Sequence, residues 1–248
     1  MSVAALLFVA SAALTIVVCT SMSGMGEMPM PGGWTMSMTW MRMPGQSWAG
    51  VAGMFLGMWI VMMVAMMMPS LAPLLSRYRQ AIATTRETRL GWLTTLAGGG
   101  YFFIWTVIGA IVFLLGTTLA AIEMQQPAVA RAVPVAAGVT VVIAGLLQFT
   151  GWKLRHLACC RPAPVTARTL PDDAAAACRY GIQLGLHCVQ CCGGLIAILL
   201  VIGVMNLIAM AVVAAAITVE RLLPAGEHIA RVIGALVVAT GLVLIVQA

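Results

Sequence analysis

Long runs of apolar residues most strongly constrain the fold of this 248-residue chain. A helix needs roughly 20 such residues to cross a hydrocarbon core, and the runs approach or exceed that length. Only 8% of the residues are charged, against about a quarter in a soluble domain. The pattern predicts an all-α, polytopic transmembrane helix bundle that forms a single membrane domain. The predicted spans are 3–20, 49–75, 92–121, 132–151, 180–204, 206–222 and 230–247.

Basic residues predict the orientation of these spans. Eleven of the 13 Lys and Arg residues fall in the segments 76–91, 152–179 and 221–231, and such loops are retained in the cytoplasm. We therefore expect a cytoplasmic N-terminus, a methionine-rich extracytoplasmic loop at 21–48 and a cytoplasmic loop at 152–179. The net charge of +6 is accounted for by these loops, so the expected partner is the lipid bilayer and not nucleic acid. The first span begins without Lys or Arg, and we interpret it as a helix that is retained, not as a secretory signal.

Methionine is concentrated in the first third of the chain, where 15 of the 19 methionines lie between Met22 and Met68. In the loop 21–48 they recur as M-x-M and M-x-x-M within a segment rich in Gly and Pro, which predicts flexibility. Thioethers are soft ligands that select Cu(I). The candidate ligands here are Met36, Met38, Met41 and Met43. The alternative is that these adaptable side chains pack or contact lipid headgroups.

The second span continues this pattern as a stripe along one side of a helix, with methionine at every fourth position. The candidate ligands on it are Met62, Met63, Met66 and Met67. Pro69 removes one backbone hydrogen bond near the inner end and frees carbonyl groups. Methionine at helical spacing also fills hydrophobic cores, so packing is the alternative here as well.

The segment "GLHCVQCCGG" at 185–194 puts four soft-metal ligands inside the fifth predicted span. An imidazole at that depth needs a partner, and the spacing places all four side chains over about half of a helix. These candidate ligands are His187, Cys188, Cys191 and Cys192. Cysteine alone also packs as a small apolar residue, and Cys188-x-x-Cys191 is in addition a candidate redox pair.

A second cluster, "HLACCRP", follows the fourth span and contributes His156, Cys159 and Cys160. Zinc accepts both cysteine and histidine. The methionines favour Cu(I) over zinc because thioethers are poor ligands for harder ions.

Depth along the helices predicts that the second and fifth spans are neighbours. Met66 and His187 lie at nearly equal distance from the inner face, at 1.5 Å per residue. We expect glycine pairs on both helices to permit close packing. Met62, Met66 or Met67 should then face His187, Cys188 or Cys191.

From about residue 50 onward the chain resembles a bacterial family of predicted metal-binding integral membrane proteins. The resemblance rests on "WIVMMVAMMMPS", "GYFFIW", "AGLLQFTGWK", "CCRP", "LGLHCVQCCGG" and "VERLLPAGEHIAR". The family's cysteine motif is similar to C-x-G-C-C-W and falls on the three cysteines of the fifth span, although Gln190 and Gly193 depart from it. The resemblance implies metal binding, a membrane fold and a location in the bacterial inner membrane. Glu220 and Arg221 belong to the similar segments, and we interpret them as a helix-end pair that extends toward water. The alternative is that they gate or pair across helices.

Together these features favour a membrane protein that handles Cu(I), by uptake, transfer or insertion into a copper enzyme. Methionines would pass the ion to the Cys and His ligands, and a copper-carrying or copper-enzyme protein would be the partner. Homo-oligomerisation is compatible with the sequence. There is no Walker A motif, so any transport would depend on a gradient, exchange or trapping. We assign no catalytic residue and favour a binding protein over an enzyme. The alternatives are a membrane thiol oxidoreductase that uses Cys188 and Cys191, and a structural subunit of a membrane complex.

Overall fold

Eight helices and one two-stranded sheet make up the part of the chain that the computed structural model describes, which is residues 2–23, 27–37, 40–42, 45–82, 87–160 and 173–248. The strands are β1 (Glu27–Pro29) and β2 (Thr35–Ser37). The helices are α1 (Ser2–Ser23), α2 (Trp48–Ala81), α3 (Glu87–Gln125), α4 (Pro127–Leu147), α5 (Gly151–Cys160), α6 (Ala174–Ile202), α7 (Leu207–Leu222) and α8 (Gly226–Gln247).

The predicted all-α membrane fold is confirmed. Six helices, α1, α2, α3, α4, α6 and α8, are long and apolar enough to cross a membrane by length and composition. Each of the seven predicted spans falls on a helix. The span expected at 206–222 corresponds to α7, which has 16 residues and is shorter than the other six. The number of spans and the side of the N-terminus stay predictions.

Polar side chains begin three of the helices. Ser47 accepts a hydrogen bond from the Gly50 amide at the start of α2, and Asp173 and Asn206 make equivalent contacts at the starts of α6 and α7. Each satisfies an amide that has no partner within its own helix. α2 then continues through Pro69 and Pro73 to its end.

Glycines bring α6 into close contact with α3. A Cβ atom added to Gly181 would lie 2.0 Å from the carbonyl oxygen of Ala97, and one added to Gly185 would lie 3.0 Å from that of Tyr101. Small residues of this kind allow helix backbones to approach closely in membranes. The contact holds Tyr101 of α3 beside Gly185 and next to Cys188 of α6.

The predicted glycine-mediated packing between the second and fifth spans is wrong. An added Cβ at Gly53 or Gly57 of α2 would meet nothing within 4 Å. Gly181 and Gly185 of α6 face α3 and Gly194 faces Ala144 of α4, whereas α2 and α6 meet through side chains such as Met67 and Cys188.

Candidate metal centre

The methionine-rich loop contains an antiparallel hairpin of β1 and β2, in which Met28 lies opposite Met36. We name residues 27–37 the methionine hairpin. Met30 and Met36 are buried against Ala120 and Ala130, at the adjoining ends of α3 and α4. The expected flexible loop is therefore wrong for this segment, because its methionines pack on an apolar surface.

The remaining candidates of this loop are Met38, Met41 and Met43. Met41 is partly buried beside the hairpin. Met38 and Met43 lie outside the described residues.

Aromatic rings line α2 between the methionine hairpin and the buried methionines. The ring of Phe55 lies 5.3 Å from Trp40, 5.3 Å from Phe113 and 6.0 Å from Trp59, measured between centroids. Met54, on the same part of α2, is 64% exposed. The methionine stripe is thus buried only in its inner half, from Met62 to Met68.

Met67 joins α2 to the cysteines of α6. The thiol of Cys188 lies 3.9 Å from the Met67 sulfur, which confirms the predicted proximity of these two helices at this depth. Met62, Met63 and Met66 are buried in the same core. The metal-binding role of all four methionines stays a prediction.

The three cysteines of α6 are buried together. The sulfurs of Cys191 and Cys192 are 3.7 Å apart, and Cys188 interacts with Cys192 one turn away. Two sulfurs that bind one metal ion tetrahedrally at about 2.3 Å lie roughly 3.8 Å from each other. The observed spacings match this value. We call the sulfurs of Met67, Cys188, Cys191 and Cys192 the thiol centre.

Histidine, cysteine, aspartate and glutamate do not form a metal site by themselves here. Within the described ranges, no three side chains of these types are grouped closely enough to hold an ion. The thioether of Met67 is a further soft donor beside the Cys188 thiol.

Tyr101 contacts the thiol centre from α3. Its hydroxyl lies 2.9 Å from the Cys188 sulfur, and the residue is fully buried. A hydroxyl at this position stabilises a thiolate by donating a hydrogen bond to it.

The short helix α5 brings the second predicted cluster against the first. The thiols of Cys160 and Cys191 interact, and this hydrogen bond together with burial raises the pKa of Cys160. Cys159, the adjacent candidate, is exposed. Because α5 and α6 pack together, the two clusters lie side by side. α5 itself lies in the segment predicted as a loop.

His156 of α5 and His187 of α6 form a separate imidazole pair. Their Nδ1 atoms are 3.3 Å apart, so one ring donates a hydrogen bond to the other. Trp152 packs edge-on against His156 at 4.8 Å between ring centroids. His187 therefore faces another histidine and the partly exposed side of α6, while the cysteines face the core.

A buried ion pair borders the thiol centre. Lys153 of α5 donates to the Cys191 carbonyl oxygen and lies 2.7 Å from Glu220 of α7. Burial acts to lower the pKa of Lys153, but the nearby Cys191 and Glu220 outweigh it and raise that pKa overall. The predicted extension of Glu220 toward water is wrong, because it pairs with a lysine between helices.

Arg221 lies in the last turn of α7, as predicted, but it does not extend toward water. It is only 1% exposed and donates a hydrogen bond of 3.0 Å to the Ser70 hydroxyl of α2. It interacts electrostatically with Cys188 and Cys192. The centre therefore contains fixed positive charge as well as sulfur.

Sequence reasoning missed Ser70, Tyr101 and Lys153 as polar residues around the thiol centre. All three lie in segments that carried the family resemblance, "WIVMMVAMMMPS", "GYFFIW" and "AGLLQFTGWK". An isolated polar residue within or beside an apolar span was the available signal.

Comparison with known families gives one match. The model of the copper chaperone family PpoB2 matches residues 56–244. The chain belongs to this copper chaperone family. The matched residues include α6 and the buried half of α2, so the thiol centre lies within the copper chaperone match. Among curated proteins and among solved structures, no match was found. Membership of the copper chaperone family indicates a general role in copper handling.

Proposed function

We propose that this membrane protein binds Cu(I) as cargo at the thiol centre and delivers it to a copper-carrying or copper-enzyme partner. The observation that carries the proposal is the sulfur geometry. The Met67–Cys188 and Cys191–Cys192 separations of 3.9 and 3.7 Å suit sulfurs that share one ion, at roughly 3.8 Å apart. Thiolates and thioethers are the ligand types that select Cu(I).

The proposed transfer runs from thioether to thiol ligands. Met62, Met63 and Met66 line the buried approach on α2, and the thiol centre holds the ion more tightly. Cys160, followed by the His156–His187 pair, lies on the far side and serves as the exit in this proposal. Affinity that rises from thioether to thiolate suits inward movement, with α5 on the cytoplasmic side of an inner membrane.

Zinc is the less favoured cargo. Structural zinc sites are closed by four ligands drawn from Cys, His and carboxylates. The described residues offer no group of even three such ligands. A thioether completes the site for Cu(I) and not for zinc.

The proposal is tested by titrating the purified, reduced, full-length protein with Cu(I) against a chromogenic chelator. Wild type should bind about one Cu(I) tightly, and replacement of Cys188, Cys191 and Cys192 by serine should lower the affinity more than about 100-fold, since even outer partners of a metal ligand contribute 10- to 100-fold. Cys178→Ser, on the same helix and outside the centre, is the control. Unchanged binding in the triple variant would refute the assignment.

The contribution of Met67 can be measured separately. Met67→Leu keeps the apolar volume and removes the thioether, so Cu(I) affinity should fall by roughly tenfold while the fold is retained. Met68→Leu, a buried neighbour, is the matched control. Equal affinities in the two variants would mean that Met67 only packs.

No specific observation favours a thiol oxidoreductase. The described thiol–thiol hydrogen bonds join Cys191 with Cys192, Cys191 with Cys160 and Cys188 with Cys192, whereas this alternative needs the Cys188-x-x-Cys191 pair.

A further inference from the structure

The charged guanidinium group of Arg221 is only partly hydrogen-bonded within the described residues. One guanidinium nitrogen donates to Ser70, while Nε and the second terminal nitrogen have no hydrogen-bond partner among the described residues. The neighbouring carboxylate, Glu220, is engaged by Lys153 at 2.7 Å. Two cations and one carboxylate are therefore buried side by side, with a surplus of one positive charge.

A buried guanidinium without a counter-charge is costly, because desolvation removes its interaction with water. The groups that face Arg221 are acids that are neutral when protonated. They are Cys188, Cys192, Tyr101 and Cys160. The Ser70 hydroxyl that Arg221 contacts also donates to the carbonyl oxygen of Met67, so Arg221 lies close to the thiol centre. Loss of protons from two of these thiols would supply negative charge at this position.

Copper binding makes that charge permanent. Ligation of one Cu(I) by two thiols forms two copper–sulfur bonds and breaks two S–H bonds, with both protons leaving to water and no change in oxidation state. The resulting complex has one net negative charge, since two thiolates outweigh one monovalent cation. A thioether ligand adds no charge.

We propose that Arg221 is the counter-cation of an anionic copper dithiolate formed by two thiols of the thiol centre, with Met67 as the neutral third ligand. This rests on the proposed function and extends it to the choice of cargo. A divalent ion on the same two thiolates gives a neutral complex and leaves the Arg221 charge uncompensated. The arginine thereby favours monovalent over divalent metal at one set of sulfurs.

The test compares Cu(I) and Zn(II) affinities of the full-length protein in wild type and in the Arg221→Gln variant. Removal of the charge should weaken Cu(I) binding by about tenfold or more and leave Zn(II) binding the same or tighter. Arg221→Lys keeps the charge and should recover most of the Cu(I) affinity. Arg231→Gln, an exposed arginine on α8, is the matched control and should change neither.

Proton release gives a second readout that a purely structural arginine would not change. In weak buffer with a pH indicator, wild type should release roughly two protons per Cu(I) bound. Arg221→Gln should release fewer at the same pH. If it does not fold, Arg221→Lys alone decides, because the charge proposal requires it to keep both the Cu(I) affinity and the proton count.

The outcomes separate the two proposals. If wild type binds no Cu(I), the proposed function fails. If wild type binds Cu(I) and Arg221→Gln binds Cu(I) and Zn(II) as wild type does, the function stands and the role of Arg221 is refuted. An equal loss of both metals in Arg221→Gln, or a loss of Cu(I) binding in Arg221→Lys, would also refute it, because either result indicates a packing role.

Discussion

The methionine hairpin and the thiol centre are both dense in sulfur, but their surroundings differ. The hairpin sulfurs of Met30 and Met36 pack against alanines, and Trp34 anchors the segment through a 2.9 Å hydrogen bond to the Ala130 carbonyl. The sulfurs of the thiol centre lie among a tyrosine hydroxyl, an ion pair and a buried arginine. The two regions are therefore alike in sulfur density, and the polar and charged neighbours distinguish the thiol centre from the hairpin.

The difference follows from where the polar neighbours come from. The hairpin is built by one local segment and covers the ends of two helices. The thiol centre and its polar neighbours combine side chains of α2, α3, α5, α6 and α7, and the contacting residues Ser70 and Arg221 alone lie 151 positions apart in the chain. Only the second arrangement can bring opposite charges and soft ligands to one point inside an apolar bundle.

The largest expected effect is the difference in Cu(I) affinity between a variant of the methionine hairpin and a variant of the thiol centre. Replacement of Met28, Met30 and Met36 together by leucine should keep their apolar packing and change Cu(I) affinity less than about threefold. Loss of the α6 thiols should cost more than about 100-fold. Chelator competition on both variants checks this. A loss of affinity in the leucine variant comparable to that of the thiol variant would break the comparison and restore the hairpin as a binding site.

Helix packing should matter more to the thiol centre than to the hairpin. Gly181→Leu would drive a side chain into the Ala97 carbonyl and should destabilise the protein by about 3 kcal/mol or more. Thermal unfolding in detergent measures this. Gly193→Ala on the same helix, where an added Cβ meets nothing within 4 Å, is the control. A stable Gly181→Leu protein with unchanged Cu(I) affinity would contradict the role of α3 in positioning Tyr101.

The adjacent residues Cys159 and Cys160 should differ in their rates of alkylation. The thiolate is the nucleophile, and a hydrogen bond with Cys191 and burial raise the pKa of Cys160. As pH rises, Cys160 therefore becomes reactive later than an unperturbed thiol. The exposed Cys159 should be alkylated at least about tenfold faster at neutral pH. Mass spectrometry of the metal-free protein after timed exposure to iodoacetamide gives both rates. Equal rates would mean that α5 is not packed as described.

The smallest effect concerns the hairpin anchor. Trp34→Phe removes the hydrogen bond to Ala130 and should lower stability by about 1 kcal/mol, with Cu(I) affinity unchanged. Trp92→Phe, at an exposed position, is the control for loss of an indole. Unfolding curves of the two variants provide the measurement. A change in copper affinity in Trp34→Phe alone would link the hairpin to the thiol centre.

Apolar runs were sufficient to predict the membrane-type helices, because burial in lipid leaves a strong compositional signal. The approach of Met67 to Cys188 was also predictable, since depth along a helix follows from residue number. The partners Tyr101 and Arg221 were not, because they depend on which face of α3 and α7 is turned inward. Close contacts between helices, such as that of Gly181 with Ala97, determine which face is turned inward.

The sequence did not predict helix α5 or the methionine hairpin, and the reasons differ. α5 lies in a segment with basic residues and prolines, and its buried positions Lys153, Leu157 and Cys160 do not read as an apolar face. The hairpin has strands of three residues each, too short to give a recognisable alternation. Whether Met36, Met62, Met63 and Met66 bind metal stays a prediction.

The wide spacing of the centre along the chain has a consequence for biogenesis. Helices of membrane proteins insert individually and associate afterwards. Met67 and the α6 cysteines are synthesised before Arg221, which is near the end of α7. A nascent chain therefore displays its thiols without their counter-cation until translation has passed residue 221. Copper that arrives earlier would meet a thiol centre without its proposed counter-cation. Assembly of α7 into the bundle therefore sets the earliest moment at which the complete site can bind the metal.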